Sequence, residues 1–237
     1  MSTKFQKKTA SAIIVAAGDS RIMGNGDNKQ LLLIDNIPVL AHTLSKFESA
    51  NSIDSICIVT KPENIVIIND LVKEFEFKKV KSIVPGGKTR QQSVISGLKQ
   101  IQSNSIVAVH DGARPFASSD MIDKAVSAAY EYGAAAPGVV PKDTVKVSNT
   151  DNTIKSTPDR STLRLIQTPQ VFNRDELLLA YLQAEESGFC ATDDCSVMEN
   201  MGKQIHIIEG EYTNIKVTTP EDIPIAEGIY NFLKINL

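Results

Sequence analysis

Three short segments combine glycines with charged side chains, which are the residue types that bind phosphate groups. They are AAGDSRIMGNGDNKQ at residues 16–30, PGGKTRQQS at 85–93 and HDGARP at 110–115. Glycine lets backbone amides approach a ligand closely, and Arg and Lys side chains neutralise phosphate charge. Asp111 in the third segment carries the carboxylate oxygens that Mg²⁺ prefers. Together, the three segments predict one site for a polyphosphate and its metal ion.

Taken singly, each segment is also typical of an ordinary turn. The first matches neither a Walker loop nor a G-x-G-x-x-G fingerprint, and it could be a glycine-rich turn between a strand and a helix. Asp111 could cap a turn, and His110 is more typical of a packed turn residue than of a catalyst. The argument for a site rests on three such segments occurring together.

Each of these segments follows a short apolar run, and such runs recur along the chain. They lie at residues 12–17, 56–59, 83–84, 106–109 and 134–140. Each run is apolar on both faces, as in a buried parallel strand. Apolar residues at helical spacing separate them, for example from Val39 to Phe47 and from Val94 to Ile101. This alternation predicts an α/β fold with a doubly wound sheet, in which ligands bind beyond the carboxyl ends of the strands.

One segment departs from this alternation. Residues 143–157, DTVKVSNTDNTIKST, predict a β-hairpin with too little apolar surface to be stable alone. It is either a surface hairpin on the sheet or an arm that packs against a second subunit. In the tail, residues 205–208 and 215–217 predict strands, and TPED at 219–222 predicts a helix start.

Length and charge limit the classes of protein that fit. The chain has 237 residues with 25 Lys and Arg against 28 Asp and Glu, a formal charge of −3. We expect one domain over residues 1–237, without the basic field that nucleic-acid binding needs. The three cysteines, Cys57, Cys190 and Cys195, are too few for a disulfide framework. With no apolar run long enough for a signal peptide or a membrane span, we expect a soluble cytoplasmic protein.

Seven motifs in a fixed order give the chain a family resemblance from about residue 11 to residue 230. They are AAG-x4-M-x5-KQ at 16–30, GG-x2-R-x2-SV at 86–94, HDGARP at 110–115, DT at 143–144, DR-x7-TPQ at 159–170, TDD at 192–194 and NIKVT-x-PED at 214–222. In this order they resemble the 2-C-methyl-D-erythritol 4-phosphate cytidylyltransferase family. The resemblance implies a Rossmann-like three-layer nucleotidyltransferase sandwich with a mainly parallel sheet and a protruding β-hairpin arm at about 141–160.

The resemblance also implies a reaction: transfer of CMP from CTP to 2-C-methyl-D-erythritol 4-phosphate, with loss of pyrophosphate and with Mg²⁺ as cofactor. Such a reaction needs positioning and charge stabilisation rather than a covalent enzyme intermediate. The family positions assign each site residue one expected role. Lys29 and Lys216 would flank the α-phosphate. The nucleotide would lie along Ala16, Ala17 and Gly18, and its cytosine and ribose would lie near Gly86, Lys88 and Ser93. Asp111 would bind the metal, and Arg114 would lie near the acceptor.

The predicted arm has a role in this scheme. Thr144 and Arg160 would reach the acceptor phosphate from the arm of the other subunit, beside Thr168. The resemblance therefore implies a homodimer with two shared sites. Without the resemblance, Lys216 and Arg160 would be solvated surface charges and Thr168 a turn residue before Pro169. The residues of the TDD motif, Thr192, Asp193 and Asp194, could simply cap the following helix, and this is the first interpretation for Asp194.

Two positions depart from the family pattern. The family usually has an arginine where this chain has Ile22, so Arg21 either takes over its catalytic role or the loop binds triphosphate more weakly. Lys88 stands where an aspartate is common near the cytosine. The alternatives that remain are a D-ribitol-5-phosphate cytidylyltransferase and a CTP-binding relative with impaired catalysis. A dinucleotide-dependent oxidoreductase is disfavoured, because the chain has no G-x-G-x-x-G motif.

Overall fold

Buried β-branched and alanine-rich strands form one mixed sheet at the centre of the molecule. The computed structural model describes residues 8–18, 31–103 and 105–235. The strands are β1 Ala10–Ala16, β2 Leu33–Ile34, β3 Ile37–Pro38, β4 Ile53–Thr60, β5 Val80–Pro85, β6 Ile106–Asp111, β7 Ala134–Val139, β8 Val147–Ser148, β9 Ile154–Ser156, β10 Leu165–Ile166, β11 Gln170–Asn173 and β12 His206–Glu209. The helices are α1 Val39–Ser49, α2 Ile65–Glu74, α3 Arg90–Leu98, α4 Ser119–Tyr132, α5 Arg174–Ser187, α6 Asp194–Asn200 and α7 Asp222–Ile235.

The strand order confirms the prediction of a mainly parallel α/β sheet. Within the described residues, the order is β10-β7-β11-β6-β1-β4-β5, and β12 pairs with β7. Strands β6, β1, β4 and β5 are parallel to one another, as are β12 and β7. The carboxyl ends of the four neighbouring parallel strands therefore meet at one edge, where the three glycine-containing segments begin.

Helices cover both faces of the sheet, which confirms three layers. Helices α1, α2 and α4 pack on one face, for example through Leu44, Ile68 and Val126. Helices α3, α5 and α6 pack on the other, where Leu98 and Tyr181 are fully buried. Alternate residues of β1 belong to opposite clusters, Ile14 to the first and Ile13 to the second. This alternation is what a strand buried on both sides requires.

One strand breaks the parallel pattern next to the site. Strand β11 runs antiparallel between β6 and β7, with Gln170 opposite Val109. Its first residues consequently lie at the carboxyl end of β6. This insertion brings Thr168 beside Asp111, although the two residues are 57 positions apart in the sequence.

 The Thr168 hydroxyl accepts a hydrogen bond from the Asp111 amide at 3.1 Å, which the sequence pattern did not indicate.

The outer segments agree in part with the sequence predictions. The predicted hairpin is present as β8 and β9, and its apolar residues Val147 and Ile154 are exposed. The predicted strand at 205–208 is confirmed as β12. The predicted strand at 215–217 is wrong: the segment joins no sheet, and its Val217 amide bonds to the Ala113 carbonyl at 2.8 Å instead.

The last helix begins slightly later than TPED predicts. Helix α7 starts at Asp222, whose carboxylate accepts hydrogen bonds from the Thr218 and Thr219 amides at 2.7 and 2.8 Å. Asp222 therefore lies in the first turn, where the sequence predicts acidic residues, and it holds the two residues that lead into the helix. None of the helices in the described part of the chain is long and apolar enough to cross a membrane.

Candidate active site

A cavity of about 500 Å³ opens at the carboxyl ends of β1, β4, β5 and β6. All three glycine-containing segments contribute to it, so the structure brings them together as predicted. The described residues that line it are Val15, Ala17, Gly18, Lys61, Pro62, Gly86, Gly87, Lys88, Thr89, Arg90, Ser93, Asp111, Ala113 and Lys216.

The loop between β5 and α3 forms one wall of the cavity. The Gly86 amide donates to the Thr60 carbonyl at 2.7 Å. A Cβ atom at Gly86 would lie 2.6 Å from the Ala17 Cβ and 2.8 Å from the Ser93 Oγ, so the loop can approach β1 only with glycine here. Ser93 Oγ accepts from the Gly87 amide at 3.2 Å and donates to the Thr89 carbonyl at 2.9 Å. This wall is therefore preformed.

The start of α3 faces the same cavity. Thr89 is its N-cap, and its side chain accepts a hydrogen bond from the Gln92 amide. The partial positive charge of a helix N-terminus favours an anion at this point. Lys88 is exposed beside it, while its amide donates to Gln92 Oε1 at 2.9 Å. The wall thus offers a helix dipole and a cation to a phosphate or a polar base.

The opposite wall carries a charge cluster built on the end of β6. Lys216 Nζ lies 2.9 Å from Asp111 Oδ2, and Arg114 Nε lies 3.3 Å from the same oxygen. Burial alone would raise the pKa of the Asp111 carboxyl. The positive charges of Lys216 and then Arg90 outweigh burial and hold that pKa well below its ordinary value. Asp111 is therefore ionised throughout the neutral range.

Lys216 reaches this cluster although its segment belongs to no strand. The neighbouring Val217 is fully buried in a small cluster with Phe116 and Ala226 of α7. Arg114 also holds the segment, because its Nη1 donates to the Asn214 carbonyl at 2.8 Å. A buried anchor on one side and a hydrogen bond on the other aim the partly exposed Lys216 side chain at Asp111.

Thr168 and His110 lie directly beneath Asp111. Both side chains are buried, and the Thr168 hydroxyl lies 2.9 Å from His110 Nδ1. Burial lowers the pKa of His110 to about 4, so the imidazole is neutral at neutral pH. Thr168 is not among the described residues that line the cavity, so its predicted contact with the acceptor phosphate stays a prediction.

Arg90 is a cavity residue to which the motif assigned no role. Its Nη1 and Nη2 atoms donate to the two carboxylate oxygens of Asp194, which is fully buried. The Tyr181 hydroxyl donates to Asp194 Oδ1 as well. The interpretation of Asp194 as a helix cap is wrong, because the capping side chain of α6 is that of Asp193. Both residues stand in motifs of the sequence, Arg90 in GG-x2-R-x2-SV and Asp194 in TDD, but neither motif indicates that the two side chains form a pair.

Several predicted site residues lie elsewhere. Ala16 is buried at the end of β1, next to the cavity residues Ala17 and Gly18. Thr144 and Arg160 are exposed outside the described lining of the cavity, and Arg160 Nη1 donates to the Lys142 carbonyl at 2.7 Å. The predicted catalytic residues Arg21 and Lys29, and also Ile22, lie outside the described residues.

The residues present fit a magnesium ion bound together with a substrate. No group of three or more His, Cys, Asp or Glu side chains suited to a metal occurs in the described ranges. Mg²⁺ bound with a nucleotide needs only one or two carboxylates, since phosphates and water supply the remaining oxygens. Asp111 is ionised, lines the cavity and meets both Lys216 and Arg114 through Oδ2. It is therefore the candidate ligand.

Comparison with known proteins agrees with this arrangement. The family model of 2-C-methyl-D-erythritol 4-phosphate cytidylyltransferase matches residues 10–231. The protein of that name from Clostridium botulinum is 45% identical over 220 residues, covering 92% of this chain and 96% of the relative. The one from Caldanaerobacter subterraneus is 46% identical over 219 residues, with the same coverage of both chains.

Solved structures agree as well. The crystal structure of 4-diphosphocytidyl-2C-methyl-D-erythritol synthase from Anaerococcus prevotii superposes with a TM-score of 0.85 at 33% identity. It covers 95% of this chain and 97% of that one. The 2-C-methyl-D-erythritol 4-phosphate cytidylyltransferase of Thermus thermophilus has a TM-score of 0.78 at 28% identity. This chain belongs to the 2-C-methyl-D-erythritol 4-phosphate cytidylyltransferase family.

Proposed function

We propose that this protein transfers CMP from CTP to 2-C-methyl-D-erythritol 4-phosphate. A phosphate oxygen of the acceptor attacks the α-phosphorus of CTP, and the bond from that phosphorus to the bridging oxygen breaks. Pyrophosphate leaves, and a phosphoanhydride joins CMP to the acceptor. The observation that carries the proposal is the cavity itself, with the preformed loop of Gly86 and Ser93 on one wall and the Asp111–Lys216 pair on the other.

The two walls divide the work of binding and catalysis. The glycine loop and the start of α3 would hold the nucleoside through Gly86, Lys88 and Ser93, with Ala16, Ala17 and Gly18 along the nucleotide. Lys216 and Lys29 would flank the α-phosphate and stabilise the charge that develops there, and Arg21 would neutralise the triphosphate. No covalent intermediate on the protein is needed, because fixed positive charge and alignment lower the barrier.

Asp111 would hold Mg²⁺ through a carboxylate oxygen. The ion, when bound, would supply charge neutralisation on the triphosphate. The low pKa of the Asp111 carboxyl supports this role, because the ligand is already ionised before substrate binds. Arg114, beside Asp111, would then face the acceptor.

The arm supports a homodimer with shared sites. The hairpin of β8 and β9 exposes Val147 and Ile154, which a second subunit would cover. Thr144 and Arg160 lie outside the cavity lining of their own chain, so within the proposal they serve the site of the partner. We further propose a cytoplasmic location, which the three unpaired cysteines support.

Replacement of Lys216 tests the proposed chemistry. We expect Lys216→Gln to lower the rate of pyrophosphate release from CTP and the acceptor by roughly 10²–10³-fold, as loss of one charged transition-state contact does. Lys203→Gln is the matched control, since Lys203 Nζ lies 2.8 Å from Glu176 Oε1 and neither residue is among the described lining of the cavity. Equal rates for the two variants would remove Lys216 from the reaction.

A further inference from the structure

A chain of buried hydrogen bonds runs beneath the charge cluster. The Asp111 amide lies 3.1 Å from Thr168 Oγ1, and that oxygen lies 2.9 Å from His110 Nδ1. The other ring nitrogen, His110 Nε2, lies 3.2 Å from the Arg114 carbonyl oxygen. His110 is fully buried and Thr168 is 4% exposed. The chain of hydrogen bonds therefore begins at the Asp111 amide and ends at the Arg114 carbonyl, on either side of Gly112 and Ala113.

The direction of every bond in this chain follows from donor chemistry. A carbonyl oxygen only accepts, so His110 Nε2 must carry a hydrogen and donate it to Arg114. In a neutral imidazole the other nitrogen is then an acceptor. Thr168 consequently donates its hydroxyl hydrogen to His110 Nδ1 and accepts the Asp111 amide hydrogen. Any other assignment leaves a buried donor or acceptor without a partner.

This assignment uses up the donor capacity of Thr168. A hydroxyl has one hydrogen and two lone pairs. The hydrogen goes to His110 and one lone pair goes to the Asp111 amide, so the side chain has no hydrogen left to donate to a phosphate. The resemblance placed Thr168 beside the acceptor phosphate, but its side chain can serve that phosphate only by giving up His110.

Other contacts also hold the turn of residues 111–114, which the chain of hydrogen bonds supports. The Gly112 amide donates to the Val15 carbonyl at 2.9 Å, and Thr43 Oγ1 of α1 donates to the Gly112 carbonyl at 3.0 Å. The Phe47 ring packs against the His110 ring with centroids 4.7 Å apart. The Val217 amide donates to the Ala113 carbonyl at 2.8 Å. Thr168 and His110 add restraints at the amide of Asp111 and the carbonyl of Arg114.

We propose that His110 and Thr168 are positioning residues for the transfer reaction, acting as one hydrogen-bonded unit that orients Asp111 and Arg114. This inference rests on the proposed function, because it assigns the unit to the same site. Neither side chain is among the described residues that line the cavity. The unit fixes the backbone from which the Asp111 carboxylate and the Arg114 guanidinium extend, and a displacement of that backbone would misalign the α-phosphate and the acceptor.

Steady-state kinetics of Thr168→Val, His110→Gln and the double variant test the unit. Thr168→Val leaves the Asp111 amide and His110 Nδ1 without their partner, and His110→Gln removes the two ring nitrogens that meet Thr168 and Arg114. We therefore expect kcat to fall by roughly tenfold or more in each single variant. The double variant should be no slower than the slower single variant, because both changes break the same unit. Thr168→Ser keeps the hydroxyl and should retain near wild-type kcat.

The competing role of Thr168 gives a different pattern. If its hydroxyl binds the acceptor phosphate, Thr168→Val raises KM for the acceptor with little change in kcat, and the effect of His110→Gln adds to it. That pattern would overturn the proposal. Thermal unfolding of each variant identifies any that fail to fold. Whether Thr168→Val changes kcat or the KM for the acceptor, with Thr168→Ser as the control that keeps the hydroxyl, decides the matter without the His110 variant.

A measurement on the free enzyme separates this inference from the proposed reaction. The ¹⁵N signals of the His110 imidazole should report a protonated Nε2 and an unprotonated Nδ1, with no substrate present. The opposite tautomer would overturn the hydrogen-bonded unit. A wild-type protein with the expected tautomer but no transfer activity would instead contradict the proposed function alone.

Discussion

The guanidinium of Arg90, at the first residue of α3, meets both carboxylate oxygens of Asp194, at the first residue of α6. The Arg90 side chain is 29% exposed toward the cavity, whereas the Asp194 side chain is fully buried. One buried carboxylate thus holds a cation at the edge of the candidate active site. The same contact joins two helices on one face of the sheet, so it couples the stability of the fold to the shape of the cavity.

Asp194→Asn should be strongly destabilising, because it leaves the mostly buried Arg90 charge without its counter-charge. We expect the free energy of unfolding to fall by about 3 kcal/mol, measured by urea denaturation. Asp120→Asn is the matched control, since Asp120 pairs with Lys124 on the surface and should change stability little. Similar losses in both variants would mean that the buried pair has no special role.

Asp123 should make stability depend on pH. Its carboxylate accepts hydrogen bonds from the Ser52 amide and hydroxyl and from the Asn51 amide. Burial acts to raise the pKa of Asp123, but these hydrogen bonds outweigh it and lower the pKa. A carboxyl whose pKa is lower in the folded state stabilises that state above the unfolded pKa, and the contribution is lost as pH falls through the folded value.

The comparison with Asp123→Ala isolates this contribution. The difference in unfolding free energy between wild type and variant should be largest above about pH 4, the ordinary range of an aspartate, and should shrink at lower pH. Denaturation curves over a series of pH values measure it. A difference that stays constant across that series would contradict the assignment.

The proposed shared site makes two inactive variants complementary. Arg160→Ala removes the side chain that the arm would supply to the partner's site. Lys216→Gln removes a side chain that each subunit supplies to its own cavity. Mixed dimers would contain one intact site, so an equal mixture should recover about a quarter of wild-type activity after subunit exchange. Pyrophosphate release before and after mixing measures the recovery. Activity that stays at the level of the separate variants would rule out a site shared in this way.

Ile22 stands where the family usually has an arginine. Ile22→Arg should tighten CTP binding by roughly ten- to a hundred-fold, because it adds a set of charged hydrogen bonds to the triphosphate. Isothermal titration with CTP measures the affinity, and Ile22→Leu is the control for a change of shape without charge. An affinity equal to that of wild type would indicate that Arg21 already supplies this contact.

The parallel strands and the site edge were predictable because their signals are local. A buried parallel strand is apolar on both faces, and a phosphate-binding loop needs glycine and cations in the residues that follow it. The runs that became β1, β4 and β6 and the loops after them carry these signals within a few residues. The hairpin of β8 and β9 was equally readable from its alternation and its turn residues.

The features that sequence patterns missed depend on contacts between distant segments. Nothing in the Thr168–Gln170 motif indicates that β11 would insert antiparallel beside β6, which is what brings Thr168 under Asp111. Asp194 resembles a helix cap until Arg90 is placed against it. The segment around Val217 has the composition of a strand, but its backbone pairs with a turn at Ala113 rather than with a sheet edge.

Pyrophosphate release from CTP with Mg²⁺ tests the central claim most directly, with 2-C-methyl-D-erythritol 4-phosphate and D-ribitol 5-phosphate supplied in parallel reactions. We predict release with the methylerythritol phosphate only, in equal amounts with the cytidine diphosphate-linked product. Release with the ribitol phosphate only would contradict the assignment of the acceptor. No release with either acceptor, from a protein that binds CTP, would contradict the assignment of the reaction.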